Sequence, residues 1–200
     1  MAVLLGQVGV VLSGEYLDGD DAPDLDTTVA AAPRGGAAGE PLVLLVLGDS
    51  TAAGVGSPTG AGSVAGHVAA DLAAAGRTVT VRSVARSGAR TADLDGQVTR
   101  ALDLAPSAPR LALVLVGAND ATHLTPLRTV ADGTAAAVRR LRGAGVAVVV
   151  GTCPDTGSMP AFRAEPERYF SRDEFHPSPA GYALWASVLA PAVRDAAGRA

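Results

Sequence analysis

The chain has 200 residues, 48% of them hydrophobic and 18% charged, which suits one globular domain with a real core and leaves no room for two comfortable ones. Its net charge is −4 and no basic block is present to track a phosphate backbone, which argues against a nucleic-acid partner. The one cysteine, Cys153, excludes an internal disulfide and any multi-cysteine metal site.

Residues 2–12 (AVLLGQVGVVL) are nearly all apolar but too few to span a bilayer as a helix. They are similar to the apolar region of a signal peptide, yet no Lys or Arg precedes them. Export or membrane anchoring through this segment and a cytoplasmic location both stay open. Residues 13–40 read as a linker. Glu15, Asp18, Asp20, Asp21, Asp24 and Asp26 form an acidic run without apolar periodicity, best taken as a solvated tail because EF-hand spacing is missing. The domain division expected is therefore 1–40, apolar segment plus linker, and 41–200, the folded unit.

From Pro41 onward strands and helices alternate. Residues 42–48 (LVLLVLG), 78–85, 111–117 and 146–151 are apolar on both faces, the pattern of buried parallel strands. Helices are expected between them at 64–76, 91–105 and 125–143. The last of these has Thr125 as N-cap, Pro126 as its first helical residue, and Arg139, Arg140 and Arg142 near its C-terminus. A final helix starts at Ser178-Pro179. The alternation predicts an α/β fold, a flavodoxin-like three-layer sandwich on a parallel sheet with right-handed crossovers.

In such sheets, ligands bind beyond the carboxyl ends of the strands. The first strand is followed by Gly48-Asp49-Ser50-Thr51, the second by Ser87-Gly88-Ala89, the third by Gly117-Ala118-Asn119-Asp120. Before the last helix stands Asp173-Glu174-Phe175-His176. A serine needs a base to take its proton, and a carboxylate to hold that base in one tautomer. Spaced three apart, Asp173 can reach one nitrogen of His176 while the other faces outward. The N–H groups of Ser50 and Gly88 and the amide of Asn119 are candidate donors to an oxyanion. Asp49 reads as a structural group bonding local backbone, and Asp120 as a helix-capping or loop-ordering group. Arg86 and Arg90 flank Gly88 and could meet an anionic substrate end, although solvated arginines are commoner. His67 reads as a surface or packing residue and His123 as a rim residue. Phe162, Tyr169 and Phe170 could line an acyl pocket or pack in a core, and Cys153 reads as a small buried hydrophobe.

The ordered set Gly-Asp-Ser, Gly, Gly-x-Asn-Asp and Asp-x-x-His resembles the four blocks of the SGNH or GDSL hydrolase family, over about residues 42–193. Ser50, Gly88, Asn119 and His176 match its name-giving residues, and Thr51 stands where that name has Leu. The resemblance implies a carboxylic ester or thioester hydrolase acting on small-molecule substrates, with Ser50, Asp173 and His176 as triad and no cofactor or metal. One departure is large. Members usually carry a helix and a fifth parallel strand between the fourth strand and the His block, and here only residues 155–172 are available. The expectation is a core sheet reduced to four strands, order 2-1-3-4, with 155–172 as a lid or short helix and the fourth strand as an exposed valine-rich edge. Two competing readings are an inactive SGNH fold whose shortened segment leaves His176 away from Ser50, and a nucleotide-binding Rossmann-like module. The latter lacks the G-x-G-x-x-G spacing after its first strand.

Overall fold

The structure is a computed structural model that describes residues 17–32, 39–105, 110–152 and 160–200. The readings of residues 1–16 and of Cys153 lie outside the described residues.

In chain order, β1 (Thr27–Val29) and β2 (Gly39–Gly48) lead into a one-turn helix α1 (Ser50–Ala53). Then come α2 (Val64–Ala74), β3 (Arg77–Ser83), α3 (Leu94–Leu104), β4 (Arg110–Val116), the short α4 (Ala118–Thr122), α5 (Leu127–Gly143) and β5 (Ala147–Thr152). Two further short helices, α6 (Pro160–Ala164) and α7 (Pro166–Tyr169), precede the long terminal helix α8 (Pro179–Ala197). The sheet order is β1-β3-β2-β4-β5. The four strands foreseen from the apolar runs pair in parallel, in the expected order.

Alternation along the central strands splits the core into two layers. Leu42, Leu44 and Val46 of β2 and Leu111, Leu113 and Leu115 of β4 face one side. There they meet Val64, Val68 and Leu72 of α2 and Tyr182, Trp185 and Leu189 of α8. Leu45 and Leu47 of β2 and Ala112, Val114 and Val116 of β4 face the other side, against Leu94 and Val98 of α3 and Leu141 of α5. Period-2 side chains with helices on both faces explain why these strands read as unbroken apolar runs. Each fully buried leucine contributes roughly 1.5–3 kcal/mol of transfer free energy.

Two features differ from the expectations. The structure shows α5 beginning one residue later: Pro126 is the N-cap, and the Thr125 N–H donates to the Asp120 carbonyl (2.9 Å) rather than Thr125 capping the helix. More consequentially, the acidic stretch is not wholly a solvated linker. Its Thr27–Val29 pairs antiparallel with Val79–Val81 of β3, adding a fifth strand at the sheet edge. Leu25 is buried in the core beside β2 and α2, and Leu17 is buried against Ala53 and Val55. The acidic side chains have local work: Asp18 caps the 3-10 turn Gly19–Asp21, and Asp26 accepts the Ser83 N–H (2.9 Å). At the opposite edge, among the described residues β5 pairs only with β4, and its Val150 is exposed, in line with the expected valine-rich edge.

Because Leu25 fills core space, Leu25→Ala should lower the unfolding free energy by about 2–4 kcal/mol in urea denaturation. A solvated linker residue would instead leave it within about 0.5 kcal/mol.

Candidate active site

Three loops at the carboxyl ends of adjacent strands carry the candidate groups. Ser50 follows β2, Gly88 follows β3 and Asn119 follows β4, and these strands are neighbours in the order β3-β2-β4. The Ser50 loop is held tightly. Gly48 has φ +136°, and a Cβ there would lie 1.7 Å from the Leu115 carbonyl oxygen, so only glycine fits. Gln97, from α3, accepts the Gly48 N–H (2.7 Å) and donates to its carbonyl (2.9 Å), satisfying both backbone groups where the strand ends. Sequence reading missed Gln97, a single polar residue within an amphipathic helix. Asp49 then caps α1 by accepting the Thr51 N–H (3.0 Å).

The His block is positioned by a compact loop. Phe170 and Pro177 form an isolated antiparallel bridge, and the Ser171 N–H donates to the His176 carbonyl (2.8 Å). Glu174 turns the chain with φ +52°. Inside the loop Asp173 Oδ1 accepts N–H bonds from Phe175 (3.0 Å) and His176 (2.9 Å) and the Ser171 hydroxyl (2.7 Å). An aspartate bonding backbone two and three residues on is a natural turn former, so the Asp-x-x-His spacing specifies its own geometry. Asp173 Oδ2 lies 2.6 Å from His176 Nδ1, and His176 Nε2 lies 2.9 Å from Ser50 Oγ. Asp173, His176 and Ser50 are 0%, 1% and 2% exposed, so water does not compete for these bonds. The segment 155–172 thus does not keep His176 from Ser50. Its described part forms α6 and α7, and Phe162 packs edge-on to Phe170 (4.9 Å between centroids) against the start of α8, which is core packing.

In the loop after β3, Gly88 stands in a turn closed by the Ala89 N–H on the Arg86 carbonyl (3.1 Å). Its φ is +77°, and the space where a Cβ would project is open. Asn119 donates one amide N–H to the Ala89 carbonyl (3.0 Å), tying the Gly88 and Asn119 loops together. Asp120 accepts the N–H and hydroxyl of Thr91 (2.8 and 2.9 Å) and so orders the loop, as its reading foresaw. The exposed His123 bonds the Asn119 carbonyl (2.8 Å) through Nδ1. Arg86 pairs with Asp93 (3.2 Å), and the Arg90 N–H donates to the same carboxylate (2.8 Å). Beside this turn lies an open groove of about 590 Å³ with Val84, Arg86, Asp93 and Arg100 in its walls. Among the described residues no cluster of His, Cys, Asp or Glu could hold a metal ion, and no helix is long and apolar enough to cross a membrane.

Electrostatics separates the buried Asp173 from the buried Asp49. Burial pushes the Asp173 carboxyl up, but hydrogen bonds from the His176 ring, the Ser171 hydroxyl and the His176 N–H outweigh it and hold the group well below the usual range. For Asp49, burial wins over the N–H groups of Thr51, Ala118 and Ala52 and the field of His176, and the carboxyl is pushed up to about 6. Tyr182, on α8, donates to the Val55 carbonyl (2.5 Å). Burial and then the fields of Asp49 and Asp173 raise its hydroxyl well above the ordinary value, so it remains a donor.

Comparison with known proteins gives the class. The model of the GDSL-like Lipase/Acylhydrolase family matches residues 46–167, and the chain belongs to that family. Among curated proteins it is similar to the GDSL-like esterase Rv1075c of Mycobacterium tuberculosis (strain ATCC 25618 / H37Rv), 33% identical over 195 residues, covering 76% of this chain. The match spans 62% of that relative's length. Among solved structures, TesA superposes with TM-score 0.64 at 18% identity, covering 77% of this chain and 99% of TesA. The psychrotrophic esterase EstA from Pseudoalteromonas sp., inhibited by monoethylphosphonate, superposes with TM-score 0.54 at 15% identity, covering 78% of this chain and 94% of EstA. These two likenesses establish the fold.

The aspartates give stability a distinctive pH profile. The contribution of Asp173 is complete above the unfolded value of about 3.9 and is lost as pH falls below it. Asp49 has the opposite sign: the folded state binds its proton more tightly, so stability falls as pH rises from about 4 to about 6, by about 3 kcal/mol, and then levels. Urea denaturation should therefore show wild type losing stability relative to Asp49→Asn as pH rises from about 4 to about 6, by about 3 kcal/mol. A difference between wild type and Asp49→Asn that stays constant from about pH 4 to about pH 6 would contradict the assignment.

Proposed function

We propose that this protein hydrolyses carboxylic esters or thioesters of small molecules through an acyl-Ser50 intermediate. The observation that carries the reading is the unbroken buried chain from Asp173 Oδ2 to His176 Nδ1 (2.6 Å) and from His176 Nε2 to Ser50 Oγ (2.9 Å). His176 Nε2 takes the Ser50 hydroxyl proton as Oγ bonds the substrate carbonyl carbon. The carbonyl oxygen becomes an oxyanion, met by the N–H groups of Ser50 and Gly88 and the second amide N–H of Asn119. Collapse breaks the bond to the leaving alcohol or thiol, which departs with the proton from His176. Water then repeats the sequence on the acyl-enzyme, releasing the carboxylic acid and restoring Ser50. Asp173 keeps the Nδ1 proton in place and stabilises the imidazolium without itself taking the proton. No cofactor is needed.

Short acyl chains suit the rim best. Gly88, Ala89 and Ala118 are small, and the groove beside the Gly88 turn has Arg86, Asp93 and Arg100 in its walls, a costly contact for a long apolar chain.

Hydrolysis of p-nitrophenyl acetate and butyrate tests the reading. Wild type should turn over, Ser50→Ala and His176→Ala should each lose about a thousandfold or more in kcat, and Asn119→Ala should lose about a hundred- to a thousandfold. A wild-type rate no greater than that of Ser50→Ala, with all proteins folded, would refute it.

A further inference from the structure

The segment 17–32 precedes the region matched by the family model, yet one of its backbone groups reaches the His block. The Leu17 N–H donates to Asp173 Oδ2 (3.1 Å), the same oxygen that faces His176 Nδ1, across a sequence separation of 156 residues. Asp173 is 0% exposed, so no solvent stands ready to replace this donor. The Leu17 side chain packs on Ala53 and Val55, which end and follow the helical turn opened by Ser50. One residue therefore abuts both the nucleophile turn and the carboxylate.

The rest of the segment is fastened on both sides. Asp21 pairs with Arg172 (3.2 Å), the neighbour of Asp173. The Asp24 carbonyl lies so close to Gly60 that a Cβ there would stand 2.4 Å from it. Asp26 and β1 then lock onto β3. This is more attachment than an inert tail needs, and it converges on the orientation of one carboxylate.

We propose that residues 17–32 form a strap that positions the triad, with Leu17 as the positioning residue acting through its backbone N–H on Asp173. The proposal rests on the hydrolase reading above. With this donor in place the carboxylate has one orientation, with Oδ1 on the loop N–H groups and Oδ2 shared between Leu17 and His176. Without it the carboxylate loses one fixed partner in a site water does not reach, and the imidazole it steers loses its aim at Ser50.

The test uses the full chain, with Leu17→Pro to remove the N–H and Leu17→Ala to keep it while trimming the side chain. A fluorophosphonate counts reactive sites, so kcat is expressed per labelled site. Leu17→Pro should label to the wild-type stoichiometry, keep KM within about twofold and lose about ten- to a hundredfold in kcat per labelled site. Leu17→Ala should stay within about threefold of wild type in kcat per labelled site. A purely structural role would lower the labelled fraction and leave kcat per site unchanged, which would overturn the proposal, as would an equal loss in both variants. Should Leu17→Pro fail to fold, hydrogen exchange in wild type decides. A Leu17 amide as protected as the Phe175 and His176 amides supports the strap, and one that exchanges like an exposed amide overturns it. Wild type that neither labels nor turns over removes the hydrolase reading, and the strap's role with it.

Discussion

A buried carboxylate is expensive unless its oxygens are filled, and Asp173 is where this protein meets that requirement. Two backbone N–H groups of its own loop, one hydroxyl, one imidazole and one N–H from far upstream converge on it. The bonds from the His176 ring, the Ser171 hydroxyl and the His176 N–H reverse the effect of burial and keep the group ionised. The direction of His176 follows, and with it the line to Ser50. The loop 170–177 can be short because the carboxylate itself organises it.

The other half of the site rests on the sheet. Gly48 brings the end of β2 so close to β4 that the chain must turn sharply, and Gln97 satisfies the backbone at that point. Ser50 is thereby presented at the start of α1 beside the loops after β3 and β4. Asn119 joins those two loops through the Ala89 carbonyl. The loops after three strands thus meet an imidazole from a fourth element, at the carboxyl ends of the strands where ligands bind in doubly wound sheets.

Much of this was legible in the sequence, for physical reasons. Unbroken apolar runs marked four parallel strands because both faces are covered, and their order came with the family resemblance that Ser50, Gly88, Asn119 and His176 carry. The Asp173–His176 spacing was legible because an aspartate makes its turn locally. What stayed hidden was non-local. The three-residue strand Thr27–Val29 has no apolar run, since an edge strand with two exposed residues needs none. The Leu17 N–H carries no side-chain signature at all. The role of Gln97 depends on which strand end α3 passes, which periodicity does not encode. The shortened segment before Asp173 raised the competing reading that His176 falls short of Ser50. That inference weighed chain length and underrated how tightly a hydrogen-bonded loop folds back.

The most direct test of this account is a crystal structure of the protein after reaction with a phosphonate ester. The account predicts phosphorus bonded to Ser50 Oγ, one phosphonyl oxygen within about 3 Å of the Ser50 and Gly88 N–H groups and the Asn119 amide, and His176 still bridging to Asp173. A phosphonate on another residue, or an oxygen turned away from Gly88 and Asn119 with His176 swung off Asp173, would contradict it.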